Sequence, residues 1–189
     1  MNLVFQAADA IQTFMREQQW RFCFIGGLAV QHWGEPRVTR DVDVTLITGL
    51  GNEEIFTRAL LNRFRPRVTD FWEKALRARV ALLIDDNGVG LDVAFGALRF
   101  EEQMIERAQE VRFLRQWSLR ICSAEDLIVM KALAGRTRDL LDVETIIIRQ
   151  TVKLDWAYIT RQLQPLSELA EKPEVLEELE RLRRKIEKK

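Results

Sequence analysis

Two aspartates separated by a single valine, Asp41-Val42-Asp43, are the residues of this chain best suited by type and spacing to do chemistry. They lie in a Val-Thr-Leu-Ile context that favours a strand. On a strand, residues i and i+2 share a face. Both carboxylates therefore project together, while Val42, Val44 and Leu46 turn the other way, toward a core. Two carboxylates a few Å apart repel and raise one pKa unless a cation sits between them. Oxygen ligands of this kind suit Mg²⁺ or Mn²⁺, which bind through a couple of carboxylates plus substrate phosphates. Upstream, the apolar run Phe22–Ile25 ends in Gly26-Gly27. There a bare backbone can approach a phosphate and open a short helix whose N-terminus favours anions.

A further carboxylate stands in an apolar strand. Ala81 to Phe95 reads as a hairpin: Ala-Leu-Leu-Ile leads into Asp85-Asp86-Asn87-Gly88, and Asn-Gly suits a tight turn. On the return strand Leu91, Val93 and Phe95 share one face and Asp92 takes the other. A carboxylate in that setting is costly unless it is paired, exposed or holding a metal. Asp85 and Asp86 read as turn residues.

An apolar strand, Gly-Gly or Gly-Ser, and then Asp-x-Asp on the next strand resembles the signature of the nucleotidyltransferase superfamily, the DNA polymerase β-like fold. Ile25-Gly26-Gly27 and Asp41-Val42-Asp43 carry the match. The resemblance implies a third metal-ligating carboxylate on a neighbouring strand, and Asp92 matches it by type and setting. Asp41, Asp43 and Asp92 would then hold two divalent ions, Mg²⁺ or Mn²⁺. Gly26 and Gly27 would cradle the phosphates of a nucleoside triphosphate such as ATP.

The segment from Glu125 to Asp142 resembles a helical motif of AbiEii-like and related small bacterial nucleotidyltransferases, in which a helix-borne Lys precedes an Arg-Asp stretch. By that resemblance Lys131 is a triphosphate ligand, a compact point charge. Arg136 or Arg138 adds phosphate or RNA contacts, and Asp139 acts as a base or orients these cations. The bland alternatives stand beside these roles. Lys131 could snorkel on a surface, and Arg136, Arg138, Asp139 and Asp142 could form a salt-bridged helix junction. Arg40, beside the acidic pair, is either a nucleotide contact or an ion-pair partner. His32, the one histidine, reads as a packed or capping side chain.

The elements that must position these groups follow from periodicity. Residues 3 to 18 place Leu3, Val4, Ala7, Ala8, Ile11, Phe14 and Met15 on one helical stripe. Strand-like Arg21 to Ile25 and a short helix over Leu28 to Trp33 come next, broken by Gly34-Glu35-Pro36. Glu53 to Phe64 reads as an amphipathic helix ended by Pro66, and residues 67 to 79 suggest a further helical turn or two. Phe100 to Ala108 is helical, and Val111 to Ile121 holds one or two short strands. Ser123 reads as a helix cap with Asp126 three residues on. After Thr151 the composition shifts, with helices over Leu154 to Leu163 and Pro173 to Lys189. The fold class is therefore α/β (α+β), a mixed sheet flanked by helices over residues 1–121, followed by a C-terminal helical region over 122–189.

Composition narrows the class further. The chain has 189 residues, 47% hydrophobic and 31% charged, as expected of an ordinary globular protein. Lys+Arg and Asp+Glu balance at 29 each, so no global basic field advertises nucleic acid, although a local groove can still be basic. Cys23 and Cys122 sit in apolar contexts and read as buried free thiols. No run approaches the ~20 apolar residues of a membrane span, and a cytoplasmic location is the expectation. One histidine and two distant cysteines build neither a Ser-His-Asp triad nor a zinc cluster.

Two functions follow. The first is a metal-dependent nucleotidyltransferase that moves a nucleoside monophosphate onto a hydroxyl of RNA (a tRNA end), a protein or a small hydroxylated compound. The second is a catalytically silent binding module on the same fold, one component of a toxin–antitoxin pair with an antitoxin-like partner. A glycosyltransferase using Asp-x-Asp would need a longer doubly wound βαβ series.

Overall fold

The computed structural model describes residues 2–150 and 153–187. Contacts divide the chain into two units, Met1–Leu28 with Val38–Cys122, and Ala29–Arg37 with Ser123–Lys189.

The first unit is built on one mixed sheet. Its strands are β1 (Phe22–Phe24), β2 (Asp41–Ile47), β3 (Arg65–Pro66), β4 (Val80–Ile84), β5 (Gly90–Gly96), β6 (Gln109–Phe113) and β7 (Trp117–Ile121), in the order β3-β4-β5-β2-β1-β7-β6. β2 runs parallel to β5, and β1 parallel to β7; the other neighbours are antiparallel. The alternation expected of β2 holds: Val42, Val44 and Leu46 are fully buried, and so are Leu91 and Val93 beside them on β5. The helices α1 (Asn2–Glu17) and α5 (Arg99–Arg107) pack on the sheet. Gln12 of α1 ties itself to the backbone of β7, donating to Ser118 O at 2.7 Å and accepting from Arg120 N at 3.0 Å. Cys23 and Cys122 are both buried, as expected.

The hairpin falls where Asn87-Gly88 places it: Gly88 N donates to Asp85 O and Val89 N to Asn87 Oδ1. Between β2 and β4 the sequence reading needs correcting. Helix α3 (Glu53–Leu61) stops short of Phe64, and the chain then forms the two-residue β3 before α4 (Phe71–Arg77). Pro66 therefore lies in an edge strand, where a residue with no N–H to donate is tolerated.

The second unit is helical. It contains most of α2 (Gly26–Trp33), which begins in the first unit, then α6 (Ala124–Ala134), α7 (Thr137–Gln150), α8 (Trp156–Leu169) and α9 (Glu174–Glu187). α6 contacts the three helices that follow it and is buried almost all round, through Leu127, Ile128, Val129 and Ala132. Ser123 caps it by accepting from Asp126 N, and the Asp126 carboxylate takes hydrogen bonds from Ser123 Oγ and Tyr158 Oη, each at 2.6 Å.

Residues 29–37 join these helices, which a break at residue 121 does not anticipate, because α7 straps them down. Arg149 donates to Gly34 O at 2.7 Å and Gln150 to Trp33 O at 3.0 Å. α8 runs on past Pro165 to Leu169, since burial of Leu163 and Leu166 outweighs the backbone bond that proline removes. Thr151, where the composition shifts, and the last two residues of the expected C-terminal helix lie outside the described residues. No helix among the described residues is long and apolar enough to cross a membrane.

Candidate active site

β2 and β5 pair in parallel with Asp43 beside Asp92 and Asp41 beside Gly90. Registered neighbours in a sheet share a face, so Asp41, Asp43 and Asp92 stand together on the side away from the Val42–Val44–Leu46 core. Burial pushes the Asp92 carboxyl above its ordinary value; Arg67 opposes that shift, and the charges of Asp43 and Asp41 reinforce it. The cluster is partly open, with the Asp41 and Asp92 side chains 52% and 31% exposed.

Gly26 follows β1 at φ +55°, in the left-handed region where side chains are strained, and a Cβ there would overlap the Asp43 carboxylate. A Cβ on Gly27 would overlap Thr39. Ile25 N donates to Asp43 O at 3.0 Å, and Gly27 N reaches Asp43 Oδ2 at 3.4 Å. The glycine pair thus lets the Asp43 carboxylate lie against the start of α2. Arg40 is exposed at the entry to β2, and the cation on Asp41 is not Arg40 but Arg67.

Arg67 is the residue sequence reasoning missed. Its guanidinium spans two of the three carboxylates, with Nη1 3.2 Å from Asp41 Oδ1 and Nη2 2.6 Å from Asp92 Oδ1. It gets there by register. Pro66 pairs with Leu83, Arg67 N donates to Leu82 O at 2.9 Å, and Leu82 lies opposite Asp92. No spacing rule links residue 67 to 41 or 92, and a two-residue edge strand leaves no periodic signal. The one trace was a basic Arg65-Pro66-Arg67 ahead of the hairpin.

Among the described residues, no three His, Cys, Asp or Glu side chains converge as an ion-binding group; a guanidinium lies between Asp41 and Asp92. The donor set still fits a divalent ion: the three carboxylates are hard oxygen donors, and a cationic group already bridges two of them.

The second constellation belongs to the helical unit. Lys131 is buried, with Nζ 2.9 Å from Asp139 Oδ1 and 2.7 Å from Asp142 Oδ2. Asp142 also takes both arms of the Arg37 fork at 2.8 Å, and Asp139 takes Arg136 Nε at 2.5 Å. Burial alone would raise both carboxyls, but these cations outweigh it and hold them below the ordinary carboxylate range. Lys131 is thus shared between two carboxylates inside its own unit, joined by Arg37, which the sequence reading missed because its partner Asp142 lies 105 residues away. His32 packs against Trp33 with ring centroids 4.3 Å apart, and burial and then Arg149 lower its pKa.

The seven-stranded mixed sheet flanked by helices is the α/β fold class expected from the sequence. The chain belongs to the family described as "Nucleotidyltransferase of unknown function (DUF6036)", which it matches over residues 2–178. Among solved structures it is similar to an antigenic nucleotidyltransferase-like protein from Paracoccidioides brasiliensis, at 14% identity and TM-score 0.48, covering 95% of this chain and 91% of that one. It is also similar to the antibiotic-resistance factor ANT(2'')-Ia, at 14% identity and TM-score 0.47, covering 97% of this chain and 91% of that one. No curated protein matches it.

Proposed function

We propose that the chain transfers a nucleoside monophosphate from a nucleoside triphosphate to a hydroxyl acceptor, with Asp41, Asp43 and Asp92 as the divalent-cation ligands. The observation that carries this reading is the β2–β5 register, which sets Asp43 beside Asp92 and turns all three carboxylates to one face. Bound there, Mg²⁺ or Mn²⁺ would supply charge neutralisation and Lewis acidity for in-line attack on the α-phosphate.

The chain's own residues do the positioning. Gly26 and Gly27 leave Asp43 free of steric conflict at the start of α2, and that helix start favours phosphate. Asp92, its pKa raised by burial, is the carboxylate best suited to accept the proton of the acceptor hydroxyl. Lys131, Arg136 and Asp139 act through their own ion network, which orders the helical unit. The resemblance to small bacterial nucleotidyltransferases makes RNA or a protein hydroxyl the acceptor class.

The test incubates the protein with Mg²⁺ or Mn²⁺, each α-labelled NTP in turn and total RNA, beside an Asp41→Ala, Asp43→Ala variant. Label on RNA or protein that the variant fails to produce supports the reading. No label under any condition, together with no metal-dependent NTP binding, refutes it in favour of a silent binding module.

A further inference from the structure

We propose that Arg67 is the resident counter-ion of the Asp41–Asp92 pair and competes with the divalent cation for it. The inference rests on the reading above, that these carboxylates take the metal.

Three observations lead there. The guanidinium bridges Asp41 and Asp92 with a different nitrogen on each, so it is aimed at the pair and not at one partner. The backbone makes room for it: a Cβ on Gly90 would overlap both Arg67 Nη1 and Asp41 Oδ1, so the head occupies space that only glycine leaves. The main chain of Arg67 is anchored to β4 through Leu82 O, which fixes where the side chain starts while its head stays 28% exposed. The head can therefore swing out without unfolding anything.

Without a cation, adjacent carboxylates repel, and a guanidinium between two of them relieves that repulsion. A divalent ion carries twice the charge and sits ~2.0–2.1 Å from oxygen, closer than either Arg67 contact. It therefore displaces the guanidinium, and the free ion affinity is reduced by the strength of the ion pair it must break. Arg67 makes the site selective for an ion able to outcompete an internal cation, and the released guanidinium carries a positive charge beside the site for an anionic substrate.

Mn²⁺ alone, counted by loss of the free-ion EPR signal, is the probe. It is applied to the wild type, Arg67→Gln, Arg67→Lys and an Asp41→Asn, Asp43→Asn variant, each also melted with and without Mn²⁺. The expected result is an Arg67→Gln affinity at least 10-fold tighter than wild type, with Arg67→Lys between them. Metal-free Arg67→Gln should melt lower than wild type yet gain more from Mn²⁺, a crossing that a purely structural arginine would not give. Should Arg67→Gln fail to fold, the same tightening and the larger Mn²⁺-induced gain are read on Arg67→Lys. Affinity equal to or weaker than wild type in the arginine variants, with binding lost in the Asp41→Asn, Asp43→Asn variant, overturns this inference and leaves the metal site standing. Binding that survives the double aspartate substitution, or is absent from every variant, overturns both.

Discussion

Lys131→Met removes the ammonium that joins Asp139 and Asp142 while keeping most of the side chain's length, so its effect is electrostatic. The wild-type lysine makes two short charged contacts, 2.9 Å and 2.7 Å, with its side chain 8% exposed and both carboxylates 5% exposed. Removing one partner of a buried ion network costs about 3–5 kcal/mol. Here each carboxylate keeps a guanidinium, Arg136 on Asp139 and Arg37 on Asp142, which places the cost at the low end, about 3 kcal/mol. For a chain of this size that corresponds to a melting point lower by roughly 6–12 °C. Thermal melting followed by circular dichroism reads it, with Arg136→Met as control, since its 79% exposed side chain should cost about 1 kcal/mol or less.

The pH dependence gives a second reading. The folded Asp139 and Asp142 pKa values lie below the unfolded ones, so their stabilisation is present above the unfolded carboxylate value of about 3.9 and is lost as pH falls from there through the folded values. The gap between wild type and Lys131→Met should be widest at neutral pH and narrow as pH falls below about 4 toward the folded values. A variant that melts within 2 °C of wild type (about 1 kcal/mol or less), or a gap that does not narrow as pH falls below the unfolded carboxylate value, would refute the reasoning.

Asp43→Asn and Asp92→Asn should each reduce nucleotidyl transfer by roughly 100-fold or more while the circular dichroism spectrum stays that of wild type, because the ligand charge goes and the shape remains. Gly26→Ala should lose about 1–3 kcal/mol of stability by urea unfolding, since the new methyl group meets both a left-handed backbone and the Asp43 carboxylate. Tyr158→Phe should cost about 1.5 kcal/mol by the same measurement, because it removes a hydrogen bond from a buried carboxyl oxygen of Asp126.

Much of this molecule was legible before any coordinates. Period-two alternation placed Asp41 and Asp43 on one side of β2 and Val42, Val44 and Leu46 on the other, and Asn87-Gly88 placed the hairpin that carries Asp92. These are local signals, set by the geometry of a strand and a tight turn. Ser123 was readable as a cap for the same reason: its partner lies three residues away. The stretch from 62 to 66 was read poorly, since a two-residue edge strand has no period and Pro66 signals a helix stop as readily as an edge, whereas the helical turns expected over 67 to 79 are α4.

Residue types and near-neighbour spacing were thus enough to name the carboxylates, the glycine turn and the mixed α/β class. Partners far apart in the chain were a different matter. That Asp43 lies beside Asp92 depends on which strands pair and in which register; that Arg67 reaches both Asp41 and Asp92 depends on two further strand pairings. Arg37 meets Asp142 across 105 residues of sequence, and Lys131 turns to two aspartates of the next helix rather than to solvent. The physical reason is the same in each case. A charged side chain takes its role from whichever opposite charge is near it once water is excluded, and only the packing of distant segments selects that neighbour.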